Sequence, residues 1–250
     1  MLILLSAAIV AAASPTVLAG RSAVNVICDA WPPYQIVENE RIHGFSTQTV
    51  RAVFNRMGVK FLALKGYPWK RAIKMMERGE ADALFSVNYT PERSRYAHYP
   101  SEPLVETPWV MWVQKESGNR FDSFEDLIGK RVGLVNGYSY TPSFWEFVKK
   151  HRLHELVASD VNNFKKLNGG NLDFVLAEKR NGAYILNQLR IDTIVPLGHN
   201  PVKTDGLYII FSKREVSEAF VERFSNTLRK FKKEPAYQYL YRRYLVSIHK

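Results

Sequence analysis

"GEADALFSVNYTPER", residues 79–93, sets an apolar run directly against a polar turn that ends in an arginine. Gly79 reads as the stop of a helix over "PWKRAIKMMERG" (68–79). Pro68 stands at its start, and Trp69, Ala72, Ile73 and Met76 share one face at helical spacing. "DALFSV" (82–87) has the length and apolar density of a buried strand. Thr90 is placed to cap a helix whose first residue is Pro91. A capped helix start turns backbone N–H groups outward, and Arg93 adds a planar fork of donors, which together suit a carboxylate. Ser86 and Asn88 add hydrogen-bonding groups at the strand end. On these residues alone, a clamp at the mouth of a cleft and a surface turn with Arg93 paired to a neighbour such as Glu92 stand equally open.

Working outward, the same alternation recurs. "AVNVICD" (23–29) and "VKFLAL" (59–64) read as strands, with a helix over 47–57 between them that Gly58 ends. Together with 68–87 they make an α/β unit with a largely parallel sheet. A second unit follows: strand "WVMWVQK" (109–115), a short helix, strand and glycine turn in "SFEDLIGKRVGLVNG" (123–137), helix "SFWEFVKK" (143–150) and strand "LDFVLAE" (172–178). "DGLYIIFSK" (205–213) is a returning strand. Residues 215–231 form the clearest helix, with Val216, Phe220, Phe224, Leu228 and Phe231 in phase, and a short aromatic helix follows Pro235. "GEADALF" (79–85) and "GNLDFVL" (170–176) echo one another as Gly-x-x-Asp before an apolar strand, each after a helix. The echo suggests two lobes of similar construction, with the strands at 109–115 and 205–213 crossing between them as a hinge. Ligands favour the crevice between such lobes, beyond the carboxyl ends of parallel strands.

The bulk properties are those of a globular chain. With 250 residues, 46% of them hydrophobic, it can bury the core of one large domain or two small ones. The net charge of +11 comes from basic clusters at the ends of expected helices, where cations complement the helix dipole, and no nucleic-acid-binding motif accompanies them. Residues 1–20 carry no charged side chain and read as an export signal cut after Ala19 or nearby. Pro15 interrupts an apolar run already short for a bilayer span. The single cysteine, Cys28, excludes an internal disulfide and reads as a buried strand residue.

Residues suited to catalysis are sparse. Six histidines are scattered without metal-ligand spacing, and no nucleophile elbow or phosphate-cradling glycine loop is present. Binding features are richer. Trp31, in the Pro-rich "DAWPPY" loop after the first strand, is placed to cover a small molecule, while Trp69 also fits simple core packing. Asp82 and Asp173 precede their strands and read as structural. Glu178 ends its strand on the ligand side, where a carboxylate can meet an ammonium.

The order "DAWPPY … GF … PWKRAIKMMERGEADALFSVNYTPER … YPSEPL … GKRVGLVNGYSY … GNLDFVLAE … LYIIFSK" resembles the bacterial extracellular solute-binding proteins of family 3, the periplasmic amino-acid receptors of ABC importers, in a divergent branch marked by "PWKR". The resemblance spans nearly the whole chain after the signal and implies the type II periplasmic-binding-protein fold: two α/β lobes, each a mostly parallel sheet flanked by helices, on a two-strand hinge. It implies lobe 1 over 21–110 and 210–250, and lobe 2 over 111–209. By the same resemblance Arg93 holds the ligand α-carboxylate with help from Ser139, and Glu178 binds the α-ammonium. Ser86 and Asn88 meet the ligand at the strand end, Trp31 and Trp69 wall its side chain, and Asp29 lies near that side chain. The pattern departs from the family's at Ser46, Thr47 and Gln48, where an Asp is common, at Glu178 in place of the usual Asp, and at Tyr138, where a smaller residue is usual.

The expected function is therefore periplasmic capture of a small zwitterion, an amino acid or related compound, for delivery to an inner-membrane ABC permease. No cofactor, metal or nucleic acid is expected, and the protein is expected to be a monomer. Two alternatives share the fold: a cyclohexadienyl dehydratase-like enzyme acting on a cyclic carboxylate, and a stand-alone ligand sensor.

Overall fold

The computed structural model describes residues 22–39 and 41–246. The export signal lies outside the described residues. The first part of the chain forms β1 (Ala23–Cys28), an antiparallel pair β2 (Ile36–Glu38) and β3 (Arg41–His43), α1 (Phe45–Arg56), β4 (Lys60–Gly66), α2 (Trp69–Arg78), β5 (Ala83–Val87), the short β6 (Ala97–His98) and the long β7 (Val105–Gln114). There follow β8 (Val132–Val135), α3 (Pro142–Lys150), β9 (His154–Val157), α4 (Asp160–Asn168), β10 (Phe174–Glu178), α5 (Lys179–Leu189), β11 (Ile194–Leu197) and the second long strand β12 (Lys203–Ser212). Helices α6 (Glu218–Phe231) and α7 (Pro235–Tyr241) close the fold.

The strand order is β4-β1-β5-β12-β7-β10-β8-β9, which reads as two equivalent halves meeting at β12 and β7. In one half β1 runs parallel to β4 and β5, and β5 is antiparallel to β12. In the other β8 runs parallel to β9 and β10, and β10 is antiparallel to β7. The sequence echo is thus a structural one, and its aspartates do the same job twice. Asp82 Oδ2 accepts from the Asn25 N–H at 2.6 Å, and Asp173 Oδ2 from the Arg131 N–H at 2.7 Å. Each aspartate's own N–H donates back to the partner carbonyl at 2.9 Å, stitching the start of one parallel strand to its neighbour.

The long strands switch partners halfway. Lys203–Leu207 of β12 pairs with Val105–Trp109 of β7. Beyond that, β12 joins β5 and β6, while β7 joins β10 and β11. Cys28 is fully buried in β1, and burial pushes its thiol up to about 12. Among the described residues no helix is long and apolar enough to cross a membrane.

Three boundaries differ from expectation for local reasons. The last long helix begins at Glu218 rather than at residue 215, because Ser217 caps it; Val216 stays in the core from the preceding turn. α1 begins at Phe45 rather than at residue 47. Its first N–H groups donate to the carbonyls of Pro33 and Tyr34, and Gly44 (φ 109°) allows this approach, since a Cβ there would sit 2.7 Å from both oxygens. The Thr90 cap forms, with its Oγ1 accepting from the Arg93 N–H at 3.2 Å, but it opens a single 3-10 turn over Arg93–Arg95 in place of the expected α-helix.

Candidate functional site

The cleft is built at the carboxyl ends of β1, β5 and β8, with the start of α2 and the middle of β7 completing its walls. β5 ends irregularly. Val87 pairs with Tyr208 and Phe85 with Ile209, so Ser86 between them is bulged out of the ladder. Its φ is 61°, the left-handed region that a residue with a Cβ adopts only under constraint. The constraint is a buried polar chain. Ser86 Oγ donates to Gln35 Oε1 at 2.8 Å and lies 2.9 Å from Ser46 Oγ, and Gln35 Nε2 donates to Asp29 Oδ1 at 2.8 Å. Gln35 and Ser46 are fully buried, so this chain ties the end of β5 to the end of β1.

Arg93 is 8% exposed, and none of the ion pairs among the described residues involves it. Its guanidinium donates through one Nη to the Asn88 carbonyl at 3.0 Å and lies 5.1 Å over the Trp69 ring. Asn88 is itself fixed, with Nδ2 donating to the Gly206 carbonyl at 3.1 Å and Tyr99 Oη donating to its carbonyl. A buried cation with a positioned fork and no carboxylate of its own excludes the surface turn paired to Glu92.

Seven of the eight expected residues, Asp29, Trp31, Trp69, Ser86, Asn88, Arg93 and Ser139, line one small inner pocket, and Trp109 and Tyr138 complete it. The pocket holds about 20 Å³. A larger cavity of about 690 Å³ lies next to it, shares Asp29, Trp69 and Tyr138, and is lined further by Ala30, Val37 and residues 66–70 on one side and by residues 135–136 and 156–159 on the other. The two sides are in direct contact. Trp69 Nε1 donates to the Gly137 carbonyl at 3.0 Å, Trp31 Nε1 to Asp160 Oδ2 at 3.4 Å, and Asn181 Nδ2 to the Pro32 carbonyl at 2.6 Å.

Glu178 is the exception: it does not line that pocket. Its carboxylate is buried beneath the cleft, where Oε2 accepts from the Asn181 N–H at 2.7 Å as the N-cap of α5 and Oε1 lies 4.0 Å from an Arg180 Nη. The physical reason is that β10 passes straight into α5, so the last strand residue becomes the cap. Arg71 is exposed and stacks over Tyr67 at 4.9 Å.

The electrostatics of the cleft are unusual. Burial pushes the carboxyls of Asp29 up to about 6, Asp160 to about 7 and Glu178 to about 6. Asp160, 3% exposed behind Trp31 and Tyr138, also accepts from Tyr138 Oη at 3.2 Å. Lys203 Nζ donates to the Ser139 carbonyl at 2.7 Å and to Asp205 at 3.1 Å, lies 5.0 Å over Trp109, and is pushed down by burial. Three buried polar atoms at or beneath the cleft, Trp109 Nε1, Asp160 Oδ1 and Glu178 Oε1, have no hydrogen-bond partner in the protein. Gln35, Asp160 and Lys203 escaped the sequence reading. None sits at the end of the strand that made its neighbours conspicuous, and only Asp160, just after the capping Ser159, carried a local signal. No cluster of potential metal ligands occurs among the described residues.

Residues 24–247 match the model of the bacterial extracellular solute-binding proteins, family 3. A curated relative, the ABC transporter arginine-binding protein 1 of Escherichia coli (strain K12), is 25% identical over 216 residues, which cover 83% of this chain and 84% of that protein. Among solved structures, an ancestral arginine-binding protein bound to arginine superposes with a TM-score of 0.77 at 22% identity, covering 90% of this chain and 99% of its own. A histidine kinase sensor domain similar to periplasmic binding proteins superposes at 0.76 with 18% identity, over 91% and 97%. These structural likenesses establish the two-lobed type II periplasmic-binding fold. The chain belongs to the family-3 extracellular solute-binding proteins: it is an exported, periplasmic binding protein.

Proposed function

Taking family membership as the premise, we propose that this protein captures an amino acid or a closely related zwitterion between two lobes and presents it to its ABC permease. Residues 21–110 and 210–250 form one lobe and 111–209 the other. The partner exchange along β7 and β12 supports a hinge there, at Val105–Trp109 and Lys203–Leu207. The observation that carries the reading is Arg93: a buried guanidinium, held by the Asn88 carbonyl and Trp69 and left without a carboxylate, facing a pocket whose opposite wall is Ser139.

The ligand carboxylate lies on Arg93, helped by Ser139. Ser86 and Asn88 meet the head group at the bulge, and Trp31 and Trp69 wall the rest. The positive end falls to Asp29, the one carboxylate that lines the pocket, in the place first expected of Glu178. Because these groups come from both lobes, the ligand favours the closed state by the sum of its contacts across the cleft. Each charge-assisted hydrogen bond contributes on the order of 1.5–3 kcal/mol in such a site. Asp29, the one carboxylate that lines both the inner pocket and the outer cavity, fits a ligand with a second positive group. With the arginine named for the relatives, this makes L-arginine the first compound to try.

The test is thermal melting of the chain from residue 21, stripped of ligand by denaturation and refolding, against a panel of amino acids and small carboxylates. At a hundredfold excess over Kd a ligand adds about 2.7 kcal/mol, or several degrees in a chain of this size. A shift for the wild type that Arg93→Ala abolishes is the expected result. A panel that shifts neither protein removes the amino-acid reading.

A further inference from the structure

Tyr138 stands at the carboxyl end of β8, between Gly137 and Ser139, and reaches across the cleft. Its ring centroid lies 6.4 Å from Trp31, 6.3 Å from Trp69 and 5.9 Å from Trp109, at interplanar angles of 82°, 89° and 87°. Its hydroxyl donates to Asp160 at 3.2 Å. The turn that carries it is pinned from the other side by the bond from Trp69 Nε1 to the Gly137 carbonyl, and Gly137 takes the φ of 86° that the turn needs. One ring from the second half of the chain therefore sits edge-on among three tryptophans, and the space left inside is about 20 Å³, roughly that of a water molecule. The open volume lies in the adjoining 690 Å³ cavity, which Tyr138 lines together with Asp29 and Trp69.

We propose that Tyr138 is the specificity-determining residue of the cleft, selecting zwitterions with a slender, unbranched side chain over those with a ring. The inference rests on the zwitterion reading above and adds what the ligand must look like. Tyr138 takes the place among Trp31, Trp69 and Trp109 that a bulky side chain needs. A slender chain runs past Asp29 into the outer cavity and asks of the tyrosine only the shift that opens the inner pocket of about 20 Å³ to the head group. A ring must evict it and break three aromatic contacts and the hydrogen bond to Asp160. Sequence had marked Tyr138 only as larger than usual for its turn; the structure shows what the extra size fills.

The experiment titrates L-arginine and L-tryptophan calorimetrically into ligand-stripped wild type, Tyr138→Ala and Tyr138→Phe. Wild type and Tyr138→Phe are expected to favour arginine by at least tenfold. Tyr138→Ala is expected to narrow that preference at least tenfold, through tighter binding of tryptophan. An unchanged preference in Tyr138→Ala overturns the proposal. If Tyr138→Ala does not fold by circular dichroism, Tyr138→Val, which stays apolar but vacates most of the ring's space, takes its place with the same expectation. A ligand-free readout separates this proposal from the zwitterion reading: acrylamide quenching of tryptophan fluorescence. Trp31 and Trp109 are 6% and 2% exposed with Tyr138 in place, so its truncation is expected to raise the quenching constant. Raised quenching with neither probe bound supports Tyr138 as the filler while the zwitterion reading fails. Unraised quenching overturns the role of Tyr138 whatever binds.

Discussion

β5 and β10 are the same strand built twice. Each follows a helix, opens with an aspartate that caps the neighbouring parallel strand, and lies between a parallel and an antiparallel partner. Their last residues nevertheless do opposite work. β5 ends in a bulge and the loop Asn88–Pro91, which frees Ser86, Asn88 and Arg93 to face the cleft. β10 runs directly into α5, so one oxygen of its terminal carboxylate, Glu178 Oε2, caps the helix. Where the chain leaves the strand by a loop, as at β5, the strand-end groups face the cleft; where it leaves by a helix, as at β10, a strand-end oxygen satisfies a backbone donor.

The sharpest way to break this contrast is to truncate both ends. Arg93→Ala is expected to weaken ligand binding at least a hundredfold, from the loss of two or more charge-assisted bonds at about 1.5–3 kcal/mol each, with little change in ligand-free melting. Glu178→Ala is expected to do the reverse: loss of a buried cap lowers stability by about 1–2 kcal/mol, while affinity changes less than threefold. Calorimetry and melting on both variants decide it. A tenfold loss of affinity in Glu178→Ala returns that carboxylate to the ligand.

A pH titration sharpens the contrast from the electrostatic side. Asp29, Asp160 and Glu178 have folded pKa values of about 6, 7 and 6, raised by burial above the usual carboxylate range near 4. A carboxyl raised on folding adds stability that is fully present below its unfolded pKa and is lost as pH climbs through the folded value. Ligand-free protein should therefore melt higher at pH 5.5 than at pH 8, by roughly 2–4 °C for each kcal/mol recovered. Surface carboxyls held low by hydrogen bonds, such as Asp126 and Asp173, act in the opposite sense only below about pH 4. Asp160→Asn should flatten the slope. A profile that falls towards pH 5.5 contradicts the assignment.

The smallest effect concerns the bulge itself. Ser86→Val puts a β-branched residue at φ 61° and removes the hydroxyl that binds Gln35, a cost of about 2 kcal/mol in melting. Ser86→Gly relieves the backbone and loses only the hydroxyl, so it should melt between Ser86→Val and the wild type. If valine is tolerated as well as glycine, the bulge is not under strain.

Much of this protein was legible along the chain because it is local. Apolar runs, helix-spaced faces, glycine stops and the repeated Gly-x-x-Asp identify the major strands and helices, and a strand leading through "NYTPER" singles out Ser86, Asn88 and Arg93. α5 was not legible: its Gly182 breaks the helical pattern, yet a Cβ there would lie 2.4 Å from Trp112, so the glycine serves the packing of helix on sheet. Nor was the fate of Glu178, since cap and ligand partner look alike until the path of the chain beyond the strand is known. Asp160 and Lys203 reach the site only because β8–α4 and β12 fold back against Trp31 and Trp109, 129 and 94 positions away. The sequence by itself determined which segments are strands and which side chains stand at their ends, because hydrophobic period and turn chemistry act between near neighbours. Only the tertiary structure decided that Arg93 lacks an acidic partner, that three carboxyls share one buried interface, and that Tyr138 stands among three tryptophans, because burial and long-range contact depend on every element at once.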